Sequence, residues 1–196
     1  MAMQDNNEAI VHTGKRFEEV TYEDKHVVAR NFTRCTFYKS NLKGCVFEDC
    51  SFIDCTFESC DLSLIKLKHT SINGVKIMDS KAIGIVWYDA GNPFAVGFTN
   101  SRISYCSFFG KSMKKAQFIN CMANEVDFSE CDLTQADFRG TDLSGATFAN
   151  TDLTKANFAG ARNYLIDTKT NKIKKAKFSL PEALSLLYGL DIIIEE

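Results

Sequence analysis

Cysteine is the residue type best suited to chemistry in this chain, and its spacing is regular. The 196 residues include eight cysteines and three histidines. Cys45, Cys50, Cys55 and Cys60 follow one another at intervals of five residues. Thiols in such number could form disulfides in an oxidising compartment, or four of them could bind a tetrahedral zinc ion. Which chemistry is feasible depends on how the backbone places the thiols.

The histidines give little support for catalysis. His12, His26 and His69 do not belong to a recognisable nucleophile, phosphate-loop or metal-binding motif. We therefore expect a protein that is not an enzyme and that carries neither a cofactor nor a metal.

The backbone that positions these residues is governed by a five-residue repeat. From Phe17 to Phe158, nearly every fifth residue is apolar. This period matches neither the 3.6 of a helix nor the 2 of a strand, so it predicts a solenoid that turns a corner every five residues. The residue two positions before each apolar centre is small or apolar, and such positions point to the same side of an extended chain.

All eight cysteines occupy this second inward position. Cys45, Cys50, Cys55 and Cys60 would then lie on four different walls of one coil, which is a poor arrangement for a single metal ion. We interpret the cysteines as small hydrophobic packing residues in a reducing compartment, in preference to disulfides or metal ligands.

The repeat resembles the pentapeptide-repeat family, whose consensus is Ala-(Asp/Asn)-(Leu/Phe)-x-x. The resemblance is close at residues 136–140 (ADFRG), 146–150 (ATFAN) and 156–160 (ANFAG). It covers roughly residues 15–161 and implies an all-β fold, a right-handed quadrilateral parallel β-helix with four repeats per coil. Residues 20 apart would stack, which predicts internal ladders such as Phe98, Phe118, Phe138 and Phe158.

The repeat and its interruptions divide the chain into five segments. We expect a flexible N-terminus at 1–14, a first β-helix segment at 15–87, a spacer loop at 88–97, a second β-helix segment at 98–161, and a C-terminal cap and dimerisation tail at 162–196. The register slips by one residue between Trp87 and Phe98, across a Gly-Asn-Pro turn signal. The loop either joins two solenoid segments or contacts a partner through Tyr88, Asp89, Asn92 and Phe94.

The C-terminal tail is more apolar than a lone helix requires. Ser179 to Glu182 has the form of a capping box with Pro181 in the first turn, which predicts a short helix ending at Gly189 and then a strand. The tail either caps the solenoid, or caps it and also forms a homodimer. The candidate dimer contacts are Leu184, Leu187, Tyr188, Leu190, Ile192 and Ile194.

The ending also resembles the quinolone-resistance (Qnr) and microcin-B17-immunity branch of the family. That resemblance implies a tail-to-tail homodimer whose rod imitates duplex DNA on DNA gyrase or topoisomerase IV and so protects these enzymes from quinolones or a toxin. The alternative is a scaffold for another protein partner.

Acidic residues form two blocks that would serve such a surface. Residues 122–158 carry a net charge of −5, which on a β-helix is one net charge per about 1.8 Å of axis, close to the ~1.7 Å of duplex DNA. A basic stretch at 66–115 separates the blocks. The aspartates could equally serve local turn chemistry, because the consensus places Asp or Asn before each centre. The candidate partner-binding residues are Glu48, Asp49, Asp54, Glu58, Asp61, Asp127, Glu130, Asp132, Asp137, Asp142 and Asp152.

Composition argues against several other classes. The formal net charge is −2, and no apolar run is long enough to span a bilayer. The N-terminus has no visible signal peptide. We expect a cytoplasmic protein without membrane association and without direct nucleic-acid contact.

Overall fold

The computed structural model describes residues 9–190 and residue 192, and it shows a parallel β-solenoid of about eight turns. Two 3₁₀ helices accompany the strands, a short one at Trp87–Asp89 and a longer one at Glu182–Leu190. The strands are β1 Ile10–Thr13, β2 Arg16–Glu18, β3 His26–Val28, β4 Arg30–Thr33, β5 Thr36–Tyr38, β6 Val46–Glu48, β7 Ser51–Ile53, β8 Thr56–Glu58, β9 Lys66–Lys68, β10 Ser71–Met78, β11 Gly91–Thr99, β12 Phe118–Ile119, β13 Asn157–Phe158 and β14 Lys177–Phe178.

Strands pair in parallel with the strand one coil away. Phe37 pairs with Phe57 in the β5–β8 ladder, so the register advances by 20 residues per turn. In the C-terminal half most rungs are single bridges, such as Asp132 with Asp152, at the same interval. The prediction of a parallel β-helix built from five-residue repeats is therefore confirmed.

Stacked aromatic rings fill the column. Phe118 stacks on Phe98 at 5.6 Å between ring centroids and on Phe138 at 5.0 Å. Phe158 continues the same ladder at 4.8 Å from Phe138, as the repeat predicts. All four rings are fully buried. Burial of each such ring stabilises the fold by roughly 1.5–3 kcal/mol, so stability comes from a continuous column.

The corners of the coils have a common backbone conformation. The residue two positions after nearly every centre has a positive φ, for example 59° at Glu130 and 69° at Gly140. Glycine adopts this left-handed conformation most readily, and Asn and Asp tolerate it better than other residues. The corners therefore explain part of the Asp, Asn and Gly content that the repeat shows.

The solenoid is longer than predicted at both ends. Strand β1 at Ile10–Thr13 pairs with β4, although we expected residues 1–14 to be flexible. The imidazole of His12 stacks on Phe32 at 5.0 Å, so a histidine occupies a position that the repeat reserves for an apolar centre. At the other end β14 pairs with β13, which extends the solenoid beyond residue 161.

The predicted spacer loop is largely a strand. Residues 91–99 form β11, which pairs with β10 across two register shifts. Val75 pairs with Val96 and Ile77 with Phe98, so the backbone ladder continues through the slip. The two β-helix segments that we separated at 88–97 therefore form one column.

The tail begins with a helix, but not with the capping box that the sequence suggested. The Ser179 hydroxyl accepts a hydrogen bond from the Gly160 N–H at 3.1 Å, and the first helical turn is closed by the Ala183 N–H donating to the Ser179 carbonyl at 3.0 Å. Leu186 packs against the column. The strand expected after Gly189 lies outside the described residues, apart from Ile192 and from Leu190, which is the last residue of the helix. Within the described part of the chain, no helix is long and apolar enough to cross a membrane.

Candidate protein-interaction surface

Four walls organise the outer surface, and each is named here by its centre in the coil 131–150. These are the Leu133, Phe138, Leu143 and Phe148 walls. Residues that follow one another at the coil interval lie in one column on the same wall, as the bridge from Asp132 to Asp152 shows.

The structure distributes the predicted acidic residues over all four walls. Asp132 and Asp152 share a column on the Leu133 wall, while Asp61 and Asp142 lie on the Leu143 wall. By the same interval the remaining candidates lie on or at the corner of the Leu133 wall (Asp54), the Phe138 wall (Glu58, Asp137) and the Phe148 wall (Glu48, Asp49, Asp127, Glu130). The candidates thus form several columns and not one stripe.

Basic side chains neutralise many of these carboxylates. The partners of the C-terminal aspartates are Lys114 for Asp132 at 3.2 Å, Arg139 for Asp137 at 2.7 Å, Arg162 for Asp142 at 3.2 Å and Lys172 for Asp152 at 3.7 Å. In the other block, Glu48 lies 2.8 Å from His26 and 3.7 Å from Lys68. Because Lys114, Arg162 and Lys172 lie outside residues 122–158, the charge density calculated from that stretch overstates the acidity of this region.

Turn chemistry explains the position of the aspartates. The Thr134 N–H donates to Asp132 Oδ1 at 3.1 Å, and the Thr154 N–H donates to Asp152 Oδ1 at 3.0 Å. The same bond, from the residue two positions on, is made to Asp127, Asp137 and Asp142. These are the local side-chain turns that Asp and Asn favour.

The same contacts lower the pKa of several carboxyls. For Asp132, partial burial opposes ionisation, but the hydrogen bonds from Thr134 and the charge of Lys114 outweigh it and lower the pKa. The hydrogen bonds from Thr154 lower the pKa of Asp152. Partial burial opposes this effect, and the charge of Lys172 adds to it. Both groups are therefore ionised at neutral pH, and both are committed to contacts within the solenoid.

Among the described residues, three carboxylates of the stretch 122–158 have no basic neighbour, and neither do Asp54, Glu58 and Asp61 of the other acidic block. Within residues 9–190, Glu125, Asp127 and Glu130 have no basic side chain in ion-pair distance. Glu125 and Glu130 are exposed corner residues, and Asp127 accepts a hydrogen bond from the Ser107 hydroxyl at 3.2 Å. We call these three residues the acidic edge, because they lie on the Phe148 wall and its two corners.

The predicted loop contacts separate into exposed and buried residues. Tyr88, Asp89 and Asn92 are exposed, as a partner contact requires. Phe94 is only 9% exposed, which makes its prediction as a surface contact wrong. The register shift beside Ile72 turns Phe94 into the column, where its ring lies 6.2 Å from Trp87.

Lys111 is a buried charge that the sequence interpretation missed. Its ammonium donates a hydrogen bond to the Ala90 carbonyl at 2.6 Å and lies 4.9 Å from the centre of the Phe94 ring. Burial lowers the pKa of Lys111, while the nearby Asp89 carboxylate acts in the opposite direction. The sequence contains a signal for this burial, because Lys111 occupies an inward position of the repeat that elsewhere carries mostly small residues.

Packing accounts for the cysteines. All eight are buried as free thiols. The thiols of Cys106 and Cys131 donate to the carbonyls of Ala82 and Phe108, each at 3.0 Å. Burial raises the pKa of Cys131 to about 12. Among the described residues, no group of His, Cys, Asp or Glu side chains could hold a metal ion.

The C-terminal helix leaves apolar surface exposed. Tyr188 is 72% exposed, Leu184, Leu190 and Ile192 are also exposed, and Leu187 is half-buried. A groove of about 610 Å³ between the last coil and the helix is lined by Leu165, Leu184 and Tyr188 among others. Ile194, the remaining predicted dimer contact, lies outside the described residues.

The fold and its surface define a class of protein, a solenoid of five-residue repeats. Residues 112–148 and 131–162 match the family described as "Pentapeptide repeats (8 copies)", and residues 29–65 match "Pentapeptide repeats (9 copies)". Residues 29–65 and 112–162 therefore consist of pentapeptide repeats. A comparison with curated protein sequences finds no match.

Among the solved structures that resemble this chain, one shares its fold at a TM-score above 0.5. A trypsin-treated variant of QnrB1, described as a plasmid-mediated fluoroquinolone resistance protein, is 20% identical over 95% of this chain and 98% of its own, with a TM-score of 0.57. Full-length QnrB1 is 21% identical over 93% and 100%, with a TM-score of 0.46. HetL, a pentapeptide repeat protein involved in heterocyst differentiation regulation from the cyanobacterium Nostoc sp. strain PCC 7120, is 14% identical over 84% and 85%, with a TM-score of 0.41.

Proposed function

We propose that this protein is a non-enzymatic binding protein that occupies the duplex-DNA surface of DNA gyrase or topoisomerase IV and thereby protects the enzyme from fluoroquinolones or another gyrase poison. The observation that carries the proposal is the acidic edge, a group of un-neutralised carboxylates on a rigid rod of about eight turns. The likeness in fold to QnrB1, described as a fluoroquinolone resistance protein, supports the choice of partner.

Unpaired negative charges lie close together at the acidic edge. Glu125, Asp127 and Glu130 belong to one coil and lie within six consecutive residues, so the edge places three negative charges on a short stretch of the rod. Fixed negative charges on a rigid support attract a basic protein surface and speed its association. The ion-paired aspartates contribute less, because each already has a neighbouring cation.

Binding to gyrase, with duplex DNA as competitor, tests this proposal. We expect the wild-type protein to bind immobilised gyrase and DNA to displace it. Glu125→Gln, Asp127→Asn and Glu130→Gln together should weaken binding by about tenfold or more, because complementary charge is removed. Asp137→Asn is the matched control, since Arg139 already neutralises Asp137 at 2.7 Å. Lack of wild-type binding at micromolar concentration would contradict the proposal.

A scaffold for a different protein partner is the second candidate. The basic stretch at 66–115 interrupts the acidic surface, and the ion pairs of Asp132, Asp142 and Asp152 reduce it further. A folded wild-type protein that fails to bind gyrase would favour this candidate.

The tail is proposed as a homodimer contact in addition to a cap. Leu184 and Tyr188 expose apolar surface beside the last coil, and a second tail could cover it in a two-fold contact. Leu184→Ser with Tyr188→Ser should remove this contact and lower the sedimenting mass. An unchanged mass would exclude the tail as an interface.

A further inference from the structure

An exposed apolar patch lies at the middle of the rod, away from the tail. Tyr105 is 67% exposed, and Val86, Tyr88 and Phe109 are also exposed. Trp87 and Phe108 stack inside the column at 5.8 Å, so Tyr88 and Phe109, which follow them, are neighbours in consecutive coils on the outside. We call Val86, Tyr88, Tyr105 and Phe109 the mid-rod patch.

The patch departs from the rule that outward positions of the repeat are polar. Along the Phe148 wall, Val86 is followed by Ser107 and then by Asp127 in successive coils, and Tyr88 is followed by Phe109 and then by Ser129. The coil after the patch is therefore polar at both positions. Adjacent exposed apolar side chains cost free energy in water unless another surface covers them. Such a patch, bordered by charged residues, is typical of an interaction site.

Opposite charges border the patch along the rod axis. The coil before it carries Lys66, Lys68 and His69, all exposed. The coil after it carries the acidic edge, Glu125, Asp127 and Glu130. The two charged bands are three coil steps apart, or about 14 Å. Glu48 also contacts Lys68, at 3.7 Å, but it belongs to the coil farther from the patch.

This arrangement is complementary to itself. A rotation of 180° about an axis that lies in the interface plane and runs along the strands, between the coils of Trp87 and Phe108, exchanges the two bands and keeps the order of residues within a coil. Lys66 then faces the position of Asp127, and Tyr88 faces the position of Phe109. A contact in which one patch meets its own copy in this way is the usual form of a two-fold interface.

We propose that the mid-rod patch binds a second copy of this chain, with the two rods side by side and antiparallel. Apolar side chains meet at the centre, and the basic band of each copy meets the acidic edge of the other. A nucleic acid would be repelled by the acidic edge, and a uniformly basic or acidic protein would meet one band of its own sign. The second copy supplies both signs in the required order.

The side-by-side pair is independent of the tail contact. Antiparallel rods place the two tails at opposite ends, so both contacts acting together would produce assemblies larger than a dimer. The pair also buries Asp127, so self-association and binding of a basic partner compete for the same edge.

Sedimentation of full-length variants tests the patch directly. In the tail variant Leu184→Ser/Tyr188→Ser, we expect a dimer that Tyr88→Ser with Phe109→Ser converts to a monomer. Tyr22→Ser is the matched control, because Tyr22 is an exposed tyrosine on the Leu143 wall near the N-terminal end. Cooperative thermal unfolding confirms that each variant is folded. A monomeric tail variant, or a dimer that persists without Tyr88 and Phe109, would overturn the proposal.

An exchange of charges tests the orientation. Lys66→Glu alone should place like charges opposite each other and weaken the dimer by about tenfold, as should Asp127→Lys alone. The double variant Lys66→Glu/Asp127→Lys should restore most of the affinity, because the pair is re-formed with reversed signs. Failure of the double variant to recover would rule out the antiparallel arrangement.

Discussion

Ile77 pairs with Phe98, which follows it by 21 residues, whereas Phe57 pairs with Ile77 at the regular interval of 20. One extra residue is therefore absorbed between β10 and β11 without ending the ladder. Phe94 turns inward at this point, and Lys111 lies beneath it with its ammonium on the Ala90 carbonyl. Both side chains are therefore buried at the irregularity.

Substitutions of Lys111 test how this side chain stabilises the irregularity. Lys111→Met should keep the free energy of unfolding within about 1 kcal/mol, because a side chain of similar length fills the space without a buried charge. Lys111→Ala should lower it by about 2–3 kcal/mol through the cavity that remains. Urea denaturation measures both values. Equal losses in the two variants would show that the hydrogen bond to Ala90 dominates and that packing does not.

Substitution of Phe128 tests the aromatic column most directly. Its ring lies 5.4 Å from Phe108 and 5.2 Å from Phe148 and is fully buried. Phe128→Ala should cost about 3–5 kcal/mol, and Phe128→Asp should prevent folding. Ser129→Ala, on the outer face of the same repeat, should change stability by less than about 0.5 kcal/mol. A folded Phe128→Asp protein with an unchanged melting temperature would contradict the stacked column.

The cysteines should be inert in the folded protein. Burial raises the pKa of Cys55, Cys106 and Cys121 to about 11, so these thiols stay protonated and shielded at pH 8. We expect a thiol reagent to label almost none of the eight cysteines in the native protein and all of them in denaturant. Rapid native labelling would show that the coils open or that a thiol is functional.

Acid should weaken the C-terminal coils through Asp132, Asp142 and Asp152. The pKa of each in the folded state lies below the ordinary value of 3.8. Their stabilisation is therefore complete above that value and is lost as the pH falls through the folded-state pKa. Replacing all three by Asn should reduce the loss of stability that occurs as the pH falls below 3.8. An identical acid profile for variant and wild type would mean that these carboxyls contribute nothing.

The ladders could be predicted because their residues keep the repeat. Phe98, Phe118 and Phe138 follow one another at the coil interval, and only the slip after Trp87 had to be recognised. The last coil could not be found in this way, since Asn171 takes an inward position that the repeat fills with small residues. Its side chain accepts from the Thr151 N–H and donates to the Phe148 carbonyl, each at 2.9 Å, so a polar group completes the ladder.

The candidate surface was only partly predictable for a related reason. Asp142 with Arg162, and Asp152 with Lys172, are pairs at the coil interval, but they appear only if the solenoid extends beyond residue 161. Tyr105 and Phe109 were not recognised, because the repeat describes inward positions well and says little about outward ones. The exposure of Tyr88 followed from the sequence, whereas the burial of Phe94 depended on the register shift.

Gyrase supercoiling with and without a fluoroquinolone measures the proposed protection most directly. We expect added wild-type protein to restore supercoiling in the presence of the drug, and the variant without the charges of Glu125, Asp127 and Glu130 to restore much less. Folded wild-type protein that neither rescues nor inhibits supercoiling at micromolar concentration would contradict the account.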